Sequence, residues 1–107
     1  MNDYNPDALP PVIVGYLQHA DPELFSDDAR VLDEGIEHHG IAAIREWRST
    51  TASAYTYTTT YTGQEQVDAQ RWIVRAHLEG DFPGGVVDLI YRFTVASDRI
   101  VDLAITP

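Results

Sequence analysis

Residues 55–62 limit what this chain can fold into more than any other stretch. Tyr55, Tyr57, Thr59 and Tyr61 alternate there with Thr56, Thr58, Thr60 and Thr62. A period of two written in aromatic and β-branched residues is a strand, because such side chains crowd a helix and pack well on a pleat. The strand divides the chain, with helical spacing ahead of it and alternation behind it.

Ahead of it, Leu9-Pro10-Pro11 opens a helix, since proline suits a first turn whose N–H groups are unpaired anyway. Val12, Ile13, Tyr16 and Leu17 then give one apolar face. Asp21-Pro22 stops it and starts a short turn, Glu23-Leu24-Phe25, closed by Ser26-Asp27-Asp28. Residues 30–34 read as a short strand, Gly35 turns the chain, and Ile36–His39 pairs back. Gly40 leads a second helix, with Ile41, Ile44 and Trp47 on one face and Arg45, Glu46 and Arg48 on another; it fades through Ser49-Thr50-Thr51.

Behind the alternation, which begins at Ala54, residues 63–70 form a loop or frayed hairpin. Residues 71–79 form a strand with Trp72, Val74, Ala76 and Leu78 on one face. Residues 80–85 turn into a strand over 86–95, and Ala96-Ser97-Asp98-Arg99 turns into a last strand over 100–105. Helices first and a strand meander after them make an α+β fold.

At 107 residues this is one domain, with residues 1–9 polar and loose. Seven Lys and Arg against seventeen Asp and Glu give a net charge of −10, which disfavours nucleic acid and anionic membrane as partners. Without cysteine, disulfides, thiolate catalysis and Cys-based zinc sites are excluded. No run approaches the roughly 20 apolar residues of a spanning helix, and Met1-Asn2-Asp3-Tyr4-Asn5-Pro6 has no signal-peptide pattern, so a cytoplasmic protein is expected.

Several stretches resemble the SnoaL-like family of the nuclear transport factor 2-like superfamily, related to steroid Δ-isomerases and polyketide cyclases. Leu24-Phe25-Ser26-Asp27-Asp28-Ala29-Arg30-Val31 is similar to the segment before that superfamily's first strand. Gly40-Ile41-Ala42-Ala43-Ile44-Arg45-Glu46-Trp47 resembles its glycine-led helix, and Tyr91-Arg92-Phe93 with Arg99-Ile100-Val101 its closing strand pair. Trp72 and the turn over 80–85 look most like small SnoaL-like proteins. The resemblance covers residues 9–106 and implies a cone, with a curved antiparallel sheet wrapped around N-terminal helices. His19-Ala20-Asp21-Pro22-Glu23 is several residues shorter than in the family, implying a narrower, shallower or less covered open end.

The resemblance assigns Asp33 to the proton-shuttling carboxylate of steroid isomerases and Tyr16 to the tyrosine that hydrogen-bonds the oxyanion. A strand-end carboxylate facing an apolar cavity is disfavoured in its charged form and becomes a useful general base. The bland alternatives are a strand-end Asp33 in solvent and a Tyr16 packed in the core. The isomerases' third group is missing: Leu89 stands at its position, and Asp88, one residue off, points to the opposite face. For an Asp–Arg–Asp relay like that of limonene epoxide hydrolases, Asp88, Arg92 and Arg75 supply the residue types, but their alternation with Leu89, Tyr91 and Phe93 puts them on the outer face.

His38 and His39 point to opposite sides and make no metal pair, leaving one of them, taken as His38, as an acid–base partner for Asp33. His77 faces outward and His19 lies at the end of the first helix. The pocket is expected between both helices and the concave sheet, with Trp47, Tyr57, Leu89 and Tyr91 as ligand-binding residues.

The expected function is therefore binding of a small apolar carbonyl compound, with a lyase, isomerase or cyclase working through acid–base chemistry without cofactor or metal as its enzymatic form. The alternative is a non-catalytic dimeric ligand-binding or protein-assembly domain. Ile73, Val86 and Ile90 fall on the strand face opposite Trp72, Val74, Leu89 and Tyr91. Apolar residues on both faces predict a two-fold homodimer packed sheet against sheet.

Overall fold

Pro10 and Pro11 do start a helix in the computed structural model, which describes residues 1–51 and 55–107. This helix, α1 (Pro11–His19), ends where Ala20 turns left-handed at φ 49° and donates its N–H to the Tyr16 carbonyl. A 3-10 turn, Pro22–Leu24, capped by the Asp21 carboxylate, leads into β1 (Phe25–Asp33). Glu34 and Gly35 both have positive φ, 53° and 75°, forming the tight two-residue turn into β2 (Ile36–His39). Gly40, at φ 88°, precedes α2 (Ile41–Thr51). The meander follows as β3 (Tyr57–Gln66), β4 (Arg71–Gly80), β5 (Val86–Ala96) and β6 (Arg99–Thr106). The expected strand start at Ala54 lies outside the described residues.

The six strands form one sheet in the order β2-β1-β6-β5-β4-β3. It is not wholly antiparallel, as expected, because β1 runs parallel to β6. The long excursion through α2 and the meander brings the chain back beside β1 in the same direction, which no hairpin could do. β1 also begins earlier than the sequence indicates: Ser26, Asp27 and Asp28 lie within the strand rather than closing a turn. The last two are exposed at a register irregularity between Phe25 and Arg30.

Both helices pack on one face of the sheet, α2 against β1 and β2 and α1 against β6. Ile13, Tyr16, Val31, Ile44, Trp47, Val74, Phe93 and Leu103 are among the core residues between them. No helix among the described residues is long and apolar enough to cross a membrane.

The first nine residues are not loose. Asn2 and Gln64 exchange backbone hydrogen bonds of 3.0 and 2.8 Å, and the Gln64 side chain brackets Asn5 by accepting from its N–H (2.8 Å) and donating to its carbonyl (3.0 Å). Tyr4 packs its ring 5.0 Å from that of Tyr61, and Leu9 is in the core. A β-bulge explains the anchor. Register slips between Tyr61 and Gly63, so Gln64 turns inward opposite Val74 and is 5% exposed. Gly63 makes room, since a Cβ there would stand 3.1 Å from the Met1 sulfur and 3.2 Å from the Asn2 carbonyl.

Candidate functional site

The tight turn at Glu34-Gly35 fixes Asp33 as the last residue of β1, paired with Ile36 on one side and Ile105 on the other. One cross-strand row on the helix-facing side runs Asp33, Ile105, Tyr91, Val74, Gln64. Asp33 and Tyr91 thus sit two strands apart, about 10 Å along the sheet. Trp47, buried on α2, donates its indole N–H to Asp33 Oδ2 at 3.0 Å. Asp33 is half-buried, and Oδ1 has no protein hydrogen-bond partner among the described residues.

Tyr16 arrives from α1, 5% exposed, with its ring edge-on to Phe25 (5.6 Å) and Phe93 (5.8 Å). Burial pushes its hydroxyl pKa far up; Asp33, Tyr57 and Tyr61 push the same way, while Arg48 opposes them. Tyr91 is also pushed up, first by burial and then by Tyr16, Tyr61, Tyr57 and Asp33. The Tyr61 hydroxyl, which donates to the Leu17 carbonyl at 2.7 Å, is raised to about 12, mainly by burial. Tyr16, Tyr61 and Tyr91 therefore share an interior region poor in water with the Asp33 carboxylate, and burial keeps these three hydroxyls protonated at neutral pH.

Of the two adjacent histidines, His38 is the inward one. It pairs with Val31 and lies 5.9 Å, ring to ring, from Trp47, whereas the exposed His39 pairs with Arg30. Tyr57, at the start of β3, is 39% exposed and forms the rim with Tyr55 and Phe82. Leu89 is on the inner face opposite Ala76, packed against the core. The fold thus brings Asp33, Tyr16, Tyr91, Trp47, His38 and Tyr57 to one side of the sheet, with Leu89 in the wall.

The outer-face residues behave as their alternation requires. Asp88 hydrogen-bonds His77 Nδ1 at 2.7 Å, Glu79 takes Nε2 at 3.2 Å, and these two hydrogen bonds raise the His77 pKa. Arg92 bonds the Thr106 hydroxyl, so Asp88, Arg92 and Arg75 form no relay. No group of three His, Asp or Glu side chains among the described residues could hold a metal ion.

Two open hollows lie away from Asp33. One of about 330 Å³ is lined by Glu23, Phe25, Ser26, Asp27, Ile41 and Arg99. The other, about 320 Å³, is lined by Thr62, Arg75, Asp88, Leu89, Ile90 and Pro107.

Arg48 does not lie with Arg45 and Glu46 on an outer face, as its charge leads one to expect. It is half-buried, with its guanidinium carbon 5.1 Å from the centre of the Trp47 ring. Its spacing of four from Ile44 is the signal for this placement, because i and i+4 share a helix face. Tyr61, the last aromatic of the alternating run, also belongs to the site on the strength of its register.

No family model and no curated protein matches the chain. Solved structures do. A protein from Sinorhizobium meliloti, provisionally assigned as a polyketide cyclase, is 34% identical and superposes with a TM-score of 0.85 over 96% of this chain and 100% of its own. A protein with a ketosteroid isomerase-like fold from Catenulispora acidiphila, solved with trimethylamine, shares 16% identity and a TM-score of 0.76, over 94% and 87% of the two chains. One from Jannaschia, provisionally assigned as a SnoaL-like polyketide cyclase, shares 14% identity and a TM-score of 0.72, over 89% and 81%. The first is a relative in sequence and structure; the other two show a common fold.

Proposed function

The chain belongs to the SnoaL-like family of the nuclear transport factor 2-like superfamily, and from that premise we propose that it binds a small, mainly apolar carbonyl compound among its inner tyrosines and can act on it by acid–base chemistry. One observation carries this reading. The Asp33 carboxylate is oriented by a single indole N–H on Oδ2, while Oδ1 stays without a partner, in a region whose phenols remain protonated.

Oδ1 of Asp33 would take a proton from the carbon next to the substrate carbonyl. The C–H electron pair becomes the enolate double bond, and the negative charge moves to oxygen. A hydroxyl, of Tyr16 or Tyr91, or the His38 imidazole would donate a hydrogen bond to that oxygen and stabilise the charge as it develops. Returning the proton at another carbon completes an isomerisation; attack of the enolate carbon on a second carbonyl, whose π pair moves to its oxygen and takes the proton held by Asp33, completes an aldol cyclisation. Neither outcome needs an oxidant or a cofactor.

The test uses 2-tetralone in deuterated buffer, with α-proton exchange followed by NMR and binding followed by tryptophan quenching. Exchange by the native protein that disappears in Asp33→Asn, with quenching retained, is the expected result. Quenching without exchange leaves a ligand-binding domain. No quenching and no exchange refutes the site.

The non-catalytic reading has its own support in the outer face, where Ile73 and Ile90 are only half-buried and Val86 is 57% exposed. We propose that a second copy covers this face, sheet against sheet, with or without catalysis at the inner site. Ile90→Glu is expected to convert a dimer to monomer by light scattering. A native monomer at micromolar concentration would refute the pairing.

A further inference from the structure

All seven basic residues of the chain are arginines, and five have an evident polar partner. Arg30 pairs with Asp102 and Glu37, Arg45 with Glu23 and Arg71 with Asp68. Arg92 bonds Thr106, and Arg99 bonds the Glu23 carbonyl. Among the described residues only Arg75 and Arg48 have neither an ion pair nor a hydrogen bond. Arg75 is exposed on the outer face, where water solvates it. Arg48 is half-buried on the side facing the tyrosines.

A shortage of carboxylates does not explain this, since seventeen are present. Taking a guanidinium partly out of water is unfavourable unless an anion compensates it. The stacking of Arg48 on Trp47 recovers part of that cost through the ring's quadrupole but leaves its N–H donors without a protein partner among the described residues. The same indole serves two groups: its N–H orients Asp33 and its face carries Arg48. Base and cation are thus held apart rather than neutralising each other. A ligand can then place an anionic oxygen on Arg48 and a C–H on Asp33 at once. The opposing electrostatic influence of Arg48 on Tyr16 agrees with a position inside the same region.

We propose that Arg48 is the specificity-determining residue of this site, and that the ligand is a flat aromatic carbonyl compound carrying one anionic oxygen, as a carboxylate or an ionised enol. The inference rests on the binding reading above. It commits the site against a cation, which phenol rings and Asp33 alone would favour. Planarity follows from the walls, where Trp47, Tyr57, Tyr61 and Tyr91 present rings.

The experiment compares 2-naphthoate with its neutral isostere 2-naphthamide by tryptophan quenching, in native protein, Arg48→Gln and Arg48→Lys. The native protein is expected to bind the anion at least about tenfold more tightly, a preference that shrinks with added salt. Arg48→Gln should lose that preference while its amide affinity stays the same, and Arg48→Lys should keep part of it. Equal binding of both probes by the native protein would overturn the role of Arg48 yet leave the binding reading standing. That comparison needs no variant to fold. Loss of both probes alike in a folded Arg48→Gln would make Arg48 a packing residue only. Tighter binding of trimethylammonium than of naphthoate would also overturn the proposal. If neither naphthyl probe binds the native protein, the binding site itself is refuted.

Discussion

The hydrogen bond from Trp47 to Asp33 can be isolated by a double-mutant cycle. Trp47→Phe removes the N–H and keeps most of the ring; Asp33→Ala removes the acceptor. A hydrogen bond to a charged group contributes about 1.5–3 kcal/mol. Asp33 is only half-buried, so water can replace part of the bond and the lower end, about 1.5 kcal/mol, applies here. Trp47 is 4% exposed, and the smaller Phe ring forfeits about 1–2 kcal/mol more of apolar burial. Trp47→Phe should therefore cost about 3 kcal/mol in total. The double variant should be less destabilised than the sum of the singles by about 1.5 kcal/mol. With a urea m-value of about 1–3 kcal/mol/M, the discrepancy is a midpoint shift of roughly 0.5–1.5 M. Independent sites add to within about 0.3–0.5 kcal/mol. A coupling inside that band would show that the bond does not hold in solution, and the oriented carboxylate on which the proposed chemistry depends would go with it.

Gly80→Ala should destabilise the fold by at least about 2 kcal/mol in urea melts, because the added methyl falls inside contact distance of the Thr56 carbonyl and Tyr57 on the rim strand. A neutral substitution would mean that the start of β3 yields freely. Gln64→Ala removes both side-chain bonds to Asn5 and should cost about 1–3 kcal/mol while speeding amide exchange at Asn2 and Asn5; unchanged exchange would show that the N-terminal segment does not depend on it. Tyr61, held at about 12 in the fold against about 10 when unfolded, makes stability full below pH 10 and falling as pH rises toward 12, because only the unfolded phenol ionises in that window. Absorbance at 295 nm with parallel melts checks this, and Tyr61→Phe should flatten that part of the profile.

Local pattern made most of the fold legible. The Tyr/Thr alternation, the paired prolines and the i, i+3 spacing of Ile41, Ile44 and Trp47 each specify an element from neighbouring residues alone, and each element is present. What stayed hidden depends on partners distant in sequence. The parallel β1–β6 pair shows in neither strand's own residues. Ser26-Asp27-Asp28 look like a turn because they are polar, yet they extend β1 at a register irregularity beside β6. The anchoring of residues 1–9 depends on a bulge at Thr62 that turns Gln64 inward, and nothing in a polar N-terminal run announces a residue 59 positions beyond Asn5 that will hold it.

The site divides along the same line. Alternation puts His38 and His39 on opposite sides without telling which is inward, while Asp33 and Tyr16 are legible through the family resemblance. Arg48 is not, because its charge argues for solvent while its spacing from Ile44 argues for the interior, and a long side chain can satisfy either. In a chain this acidic, a surface arginine finds a carboxylate easily, as Arg30, Arg45 and Arg71 do. Spacing, then, outweighs charge when the two disagree on a helix that covers a sheet. The informative arginine is the one whose helical position leaves it facing the interior without an ion pair among the described residues. Ranking the basic residues by that criterion separates Arg48 from the other six, since Arg75, also unpaired, stands in solvent. Trp47 and Arg48, adjacent in α2, thus put the hydrogen bond to Asp33 and a half-buried guanidinium on a single indole.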